Sequence, residues 1–168
     1  MGDVSVIDYT SAAKIDHYLE RLFPITRSIT GEGNRETLRI LQELIPLNIL
    51  EFQSGKQVYG WTIPDEWNLR DAWIKDRKGN RLVDIADSNL HVVGYSASIH
   101  RKIAFSDLSS RLFFLEDLPE AIPYRTTYYK RDWGFCVTKN QYEELAKEEN
   151  LEIFIDGTFD SEGSLSIG

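Results

Sequence analysis

Trp73-Ile74-Lys75-Asp76-Arg77-Lys78-Gly79-Asn80-Arg81-Leu82-Val83-Asp84 decides the class of fold. Two short segments carrying apolar residues flank a polar stretch with Gly79-Asn80 at its end. That pattern predicts a β-hairpin turning at Gly-Asn. Downstream, Leu90-His91-Val92-Val93 and Ile99-His100-Arg101-Lys102-Ile103 read as further strands. Upstream, Val58–Ile63 reads as a short strand closed by Pro64, and Ile49-Leu50-Glu51-Phe52 as another. A short helical turn capped by Ser106 is expected over Ser106–Leu112. The region 58–138 is therefore predicted to be mostly β, in the manner of a small sandwich or barrel.

Both flanks change period. Ile15, Tyr18, Leu19 and Leu22 fall at i, i+3, i+4 and i+7 and predict a helix over Ser11–Phe23, ended by Pro24. A loop rich in Ser, Thr and Gly follows. A second helix is expected from Asn34, as its cap, to Leu44, with Leu38, Leu41, Leu44 and Ile45 as its apolar stripe. After residue 138, Thr138-Lys139-Asn140-Gln141 has capping-box spacing and predicts a helix to about Glu149, with Tyr142, Leu145 and Ala146 inward. Leu151–Ile155 reads as a strand. So does Ser164–Gly168, and an end within an apparent strand suggests a chain that has been cut. The class expected is α+β, with a helical N-terminal region over 1–57, a β-rich region over 58–138, and a helix–strand unit over 139–168.

Composition narrows the function. The 168 residues carry 27 acidic and 19 basic side chains, a formal charge of −8. Such a surface repels phosphate backbones and anionic lipid, so neither nucleic acid nor membrane is expected as a partner. No apolar run approaches the ~18 residues of a membrane span. Met1-Gly2-Asp3-Val4 opens no signal-type stretch, and the single Cys136 closes no internal disulfide. A cytoplasmic protein is the expectation.

Several stretches raise specific chemistry. Gly31-Glu32-Gly33-Asn34-Arg35-Glu36 begins like a dinucleotide fingerprint, but its sixth position is Glu36 and no strand precedes it. It reads either as an anion-attracting helix start or as an ordinary capped one. Asp84, Asp87, His91 and His100 match no compact metal site, and Asp84–Asn89 reads better as a turn with local caps. Cys136, within Phe135-Cys136-Val137, reads as a small buried hydrophobe. Pro123-Tyr124-Arg125-Thr126-Thr127-Tyr128-Tyr129-Lys130-Arg131-Asp132-Trp133-Gly134 alternates rings and cations. Arg125, Lys130 and Arg131 could hold a carboxylate between walls of Tyr128, Tyr129 and Trp133. The same stretch could equally pack its rings into a core with its charges in water.

Four stretches together resemble a bacterial aminopeptidase-like family often found near polysaccharide-biosynthesis genes. They are Leu22-Phe23-Pro24-Ile25-Thr26-Arg27-Ser28-Ile29-Thr30-Gly31-Glu32-Gly33-Asn34-Arg35-Glu36-Thr37-Leu38, Gly60-Trp61-Thr62-Ile63-Pro64-Asp65-Glu66-Trp67-Asn68-Leu69-Arg70-Asp71-Ala72, Asp87-Ser88-Asn89-Leu90-His91, and Ile122-Pro123-Tyr124 through Trp133-Gly134-Phe135-Cys136. The first also resembles, more loosely, the opening of zinc aminopeptidases related to glutaminyl cyclases, with Arg27, Gly31 and Gly33 in the places of that family's Arg and turn. The resemblance implies a peptidase-like core interrupted by a β-rich insert over the substrate cleft. It implies zinc in the full-length family, but no position here matches the family's ligands, so no metal or catalytic residue is assigned. The candidate substrate-binding set is Arg27, Arg125, Tyr128, Tyr129, Lys130, Arg131 and Trp133. The partners implied are the rest of the core, or a small peptide-like or amide-like substrate.

Two readings from other classes stay open. Trp61, Trp67, Trp73 and Trp133 could offer flat faces to a sugar in a stand-alone binding module. An unpaired strand edge at Leu165–Ile167 could let the chain self-associate.

Overall fold

The computed structural model describes residues 9–127 and 130–168, the side chains of 9–11 excepted. Two long strands organise it. β4 (Glu66–Lys75) and β9 (Asn150–Asp160) run antiparallel, Glu66 opposite Asp160 and Lys75 opposite Glu152, with a bulge between Leu69 and Asp71. β5 (Arg81–Asp84) pairs with β4, and β6 (Ile99–Ala104) pairs with β9, giving the order β5-β4-β9-β6. This sheet is open, neither closed into a barrel nor faced by a second large sheet. Along β9, Leu151, Ile153, Ile155 and Gly157 alternate inward, the period of two that a half-buried strand requires.

The inward face closes on a core of Ala72, Ile74, Val83, Ile103, Leu151, Ile153 and Ile155 against Leu108, Leu112, Phe135, Val137 and Leu145. Each fully buried Ile or Leu contributes about 2 kcal/mol of transfer free energy. Leu108 belongs to the short helix α3 (Phe105–Leu108) and Leu145 to α4 (Lys139–Leu145). β7 (Leu112–Phe113) and β8 (Phe135–Cys136) pair in parallel beneath them.

The hairpin forms where expected, with a different turn. Asp76 organises it: its carboxylate accepts from the backbone N–H of Lys78 at 2.8 Å and of Asn80 at 2.9 Å, and from Asn80 Nδ2 at 2.7 Å. Gly79 supplies the left-handed residue at φ 88°. The capping box also forms: Thr138 Oγ1 accepts from Gln141 N, and Gln141 Oε1 from Thr138 N. Ala146, expected inward, is exposed, because α4 ends one residue earlier.

The N-terminal region comprises α1 (Tyr9–Leu22), α2 (Glu32–Gln42) and β1 (Leu50–Gln53), which pairs antiparallel with β10 (Ser164–Ile167). The stripe of α1 has the expected spacing but is not covered, Ile15 being 59% and Leu19 43% exposed. Asn34 does not cap α2. The cap position is Gly31 at φ 91°, and Asn34 Nδ2 instead donates to Ser166 O at 2.7 Å. Leu90–Val93 is not a strand: Asn89–His91 forms one 3-10 turn, started by Ser88, whose Oγ accepts from Leu90 N. The turn at 105–111 lacks a side-chain cap from Ser106. The expected strand at 58–63 is a tight hairpin of β2 (Gln57–Val58) and β3 (Trp61–Thr62).

Gln53 lies opposite Ser164, and Ser54 N donates to Gly163 O at 3.0 Å. The chain thus leaves the β1–β10 ribbon at residue 54 and returns at 163. β9 sits between β4 and β6, so residues on both sides of 138/139 share one sheet. The outer side of β10 is met by Thr30, bridged to Leu165, and by Asn34.

Candidate functional site

Where the helical region meets the sheet, several buried polar groups are bonded to one another, while the Ser28 and Ser54 hydroxyls are buried without a partner among the described residues. Thr30, 1% exposed, places Oγ1 to accept from Trp67 N at 3.0 Å and to share a hydrogen bond with Tyr95 Oη. Tyr95 stacks on Trp67 at 5.6 Å between ring centroids, and burial pushes its hydroxyl up to about 12. Trp67 Nε1 donates to Ser96 O at 3.0 Å. Gly157 allows that approach, since a Cβ there would lie 2.6 Å from Ser96 O.

A second junction is ionic. Arg35 of α2 holds Glu66 bidentately at 2.6 and 2.8 Å, and Glu66 also accepts from Ser164 N at 3.0 Å. Chiefly through Arg35, the Glu66 carboxyl is held down to about 2. The start of α2 is an ordinary capped one with a distant cap: Asn68 Oδ1 accepts from Glu32 N at 2.7 Å. The N–H groups available to an anion are correspondingly fewer.

Beyond Tyr95 lies a groove of about 520 Å³, walled on one side by the β2–β3 hairpin with Trp61 and on the other by Thr127, Lys130 and Arg131. Arg131 lies over the Phe159 ring, 3.3 Å from its centroid, and pairs with Asp65. Lys130 makes no ion pair among the described residues. Gly55 and Gly60 leave the near wall bare.

The structure brings Lys130 and Arg131 of the candidate set together in this groove. Arg125 points elsewhere, its guanidinium 4.1 Å above the Phe113 ring. Trp133 is partly buried against the core between Arg101 and Arg111. Arg27 donates to Leu22 O at 2.6 Å at the end of α1. Tyr128 and Tyr129 lie outside the described residues. Trp61, Asp65, Thr127 and Phe159 were not in the set. The alternation of rings and cations drew attention to one segment, whereas the groove is assembled from four.

Of the other tryptophans, Trp67 and Trp73 are 3% and 7% exposed, so they present no free face to a sugar. Cys136 is fully buried, and its thiol is pushed up to about 11 by burial. His91 is buried with Nδ1 2.8 Å from Cys136 O, while His100 pairs on the surface with Glu152. Among the described residues no three His, Cys, Asp or Glu side chains converge as ligands, so the donors present do not fit a catalytic zinc and no step is derived through one. No helix among them is long and apolar enough to cross a membrane.

Comparison with known proteins agrees with this layout. The chain is 40% identical over 158 residues to a Clostridium acetobutylicum protein named "Putative polysaccharide biosynthesis protein with aminopeptidase-like domain". The match takes in 94% of this chain and 36% of that protein, so the chain corresponds to an N-terminal portion and spans about a third of the relative's length. A crystal structure of a "putative peptidase" from the same organism superposes with a TM-score of 0.86 at 40% identity, covering 94% of this chain and 37% of that one. Residues 66–158, from the first residue of β4 nearly to the end of β9, match one further family description, and with more than half its length matched the chain belongs to the family described as "Domain of unknown function (DUF2172)".

Proposed function

We propose that this chain is the N-terminal portion of an aminopeptidase-like zinc hydrolase, itself without catalytic residues, whose β-rich module shapes the substrate cleft. The observation that carries this is the β1–β10 ribbon. Its two strands are neighbours in space, yet 110 residues separate Gln53 from Ser164 in sequence. A module inserted into a turn of another fold would have this topology, and the matched relative is named for an aminopeptidase-like domain. In this reading the insert runs from Ser54 to Gly163, wider than the 58–138 expected from strand pattern.

The surface supports the same reading. Ile15, Leu19, Phe23, Leu44, Ile45 and Leu50 are exposed in the helical region and β1, as are Leu90, Leu115, Leu118 and Tyr124 in the module. Exposed apolar residues in the helical region and β1 are what further core would cover in this reading. The metal-activated water and its ligands would belong to that remaining core.

The test uses the longer relative. Purified with its remaining two thirds, it is expected to hold zinc and to release amino acids from short peptides, with both lost on chelation. Replacing Ser54–Gly163 by a two-residue turn between Gln53 and Ser164 should leave zinc bound and change KM more than kcat. Absence of zinc and of hydrolysis in the intact protein would overturn the hydrolase reading. Unchanged KM in the excised form would overturn the role of the module.

A further inference from the structure

Tyr59 and Tyr95 are the only non-glycine residues with positive φ among the described residues, at 53° and 65°. For a bulky side chain that conformation is disfavoured, costing on the order of 1 kcal/mol or more, and it persists only where the surroundings or a function demand it. Tyr95 lines the groove, and Tyr59, fully exposed, sits on the two-residue turn between Val58 and Trp61, next in sequence to the groove-lining Gly60 and Trp61. Glycine would relieve that turn, yet an aromatic ring stands there in water.

The charge of the groove is equally unlike its surroundings. The chain carries −8 overall, but the groove gathers Lys130, Arg131 and Asp65, a local excess of one positive charge. Asp65 is already taken by Arg131, and the Arg131 side chain is still 53% exposed with donors to spare. Lys130, near enough to Asp132 to act on its charge, makes no close ion pair among the described residues. Trp61, partly buried, offers an apolar wall beside them.

We propose that this groove binds a carboxylate-bearing ligand, with the carboxylate meeting Lys130 and Arg131 and the ligand body lying along Trp61 toward the neighbouring, exposed Tyr59. The cations supply charge-assisted hydrogen bonds, and the rings supply flat apolar contact. Two chemical sources present such a carboxylate: the C-terminus of a short peptide and a uronic acid. The inference goes beyond the peptidase-like reading, because every residue it names belongs to this chain and binding here requires no hydrolysis elsewhere.

The test is a titration of the 168-residue chain followed by the indole N–H signal of Trp61, assigned with a Trp61→Phe variant. One arm compares a dipeptide with its C-terminal amide, the other glucuronate with glucose. In at least one arm the carboxylate is expected to shift the signal saturably and to bind about tenfold tighter than its neutral counterpart. Whichever arm responds identifies the source. Lys130→Met should erase most of that preference. Tyr59→Gly should weaken binding while raising the melting temperature, a pairing that a merely structural tyrosine would not produce. Equal binding of charged and neutral forms, no saturable shift in either arm, or a preference that survives Lys130→Met would each overturn the proposal.

Discussion

Arg35 and Glu66 join α2 to the first residue of β4 through two parallel hydrogen bonds, and the same carboxylate reaches Ser164 N in β10. One side chain thus ties together three segments that lie far apart in sequence. With the Glu66 side chain 9% exposed and that of Arg35 19%, the pair is shielded from solvent enough to matter.

That geometry fixes a pH dependence. The folded Glu66 carboxyl titrates at about 2, below its ordinary value, so its contribution is full above about pH 4.5 and is lost as pH falls toward 2. The stabilisation at neutral pH is about 3 kcal/mol. Glu66→Gln should lower stability by that order at pH 7 and show a smaller loss between pH 4.5 and 2 than the native chain. Denaturant melts at a series of pH values check both. Parallel curves for the two proteins would refute the assignment.

Thr30→Val keeps the shape but removes the acceptor that Trp67 N uses. Leaving that buried N–H unpaired should cost about 1–3 kcal/mol. Thr30→Ser should recover most of the loss. Chemical denaturation of the three proteins decides it.

Gly157→Ala places a methyl group 2.6 Å from Ser96 O and 3.1 Å from Trp67 Nε1. The obstacle is backbone, which cannot step aside cheaply, so a loss of about 1–3 kcal/mol is expected. The Trp67 emission should change as its indole loses the bond to Ser96. A neutral substitution with unchanged emission would contradict the packing described.

Cys136 is fully buried, and its thiol is pushed up to about 11. At pH 8 the native chain should react with a thiol reagent only as fast as it unfolds, and at once in denaturant. Stoichiometric labelling within minutes under native conditions would show that β8 opens.

What the sequence revealed follows how local each signal is. The capping box at Thr138–Gln141 needs only four residues, and the hairpin at 73–84 only twelve, so both were legible. Leu151, Ile153 and Ile155 announced a strand because alternation is itself local. The start of β4 at Glu66 was hidden, since Glu66-Trp67-Asn68-Leu69-Arg70-Asp71 becomes a strand through pairing with β9, 85 to 94 residues on. Asn34 looked like a cap because caps are usually adjacent; Asn68, the side chain that serves α2, comes from another element. The groove was half visible. Lys130 and Arg131 stood out as cations beside rings, but Trp61, Asp65 and Phe159 reach them only through the sheet, and Arg125, from the same run, is carried off to Phe113.

The β1–β10 ribbon has a mechanical consequence. Pulled apart at Leu50 and Ile167, its four rungs would open in sequence like a zipper, each bearing the load alone. The four-stranded module beyond the last rung would take the full load only once Asn34 had released Ser166, Gln53 and Ser164 had parted and Glu66 had released Ser164. A force trace from those two handles should therefore show a low, early yield for the ribbon and a separate, higher event for the module.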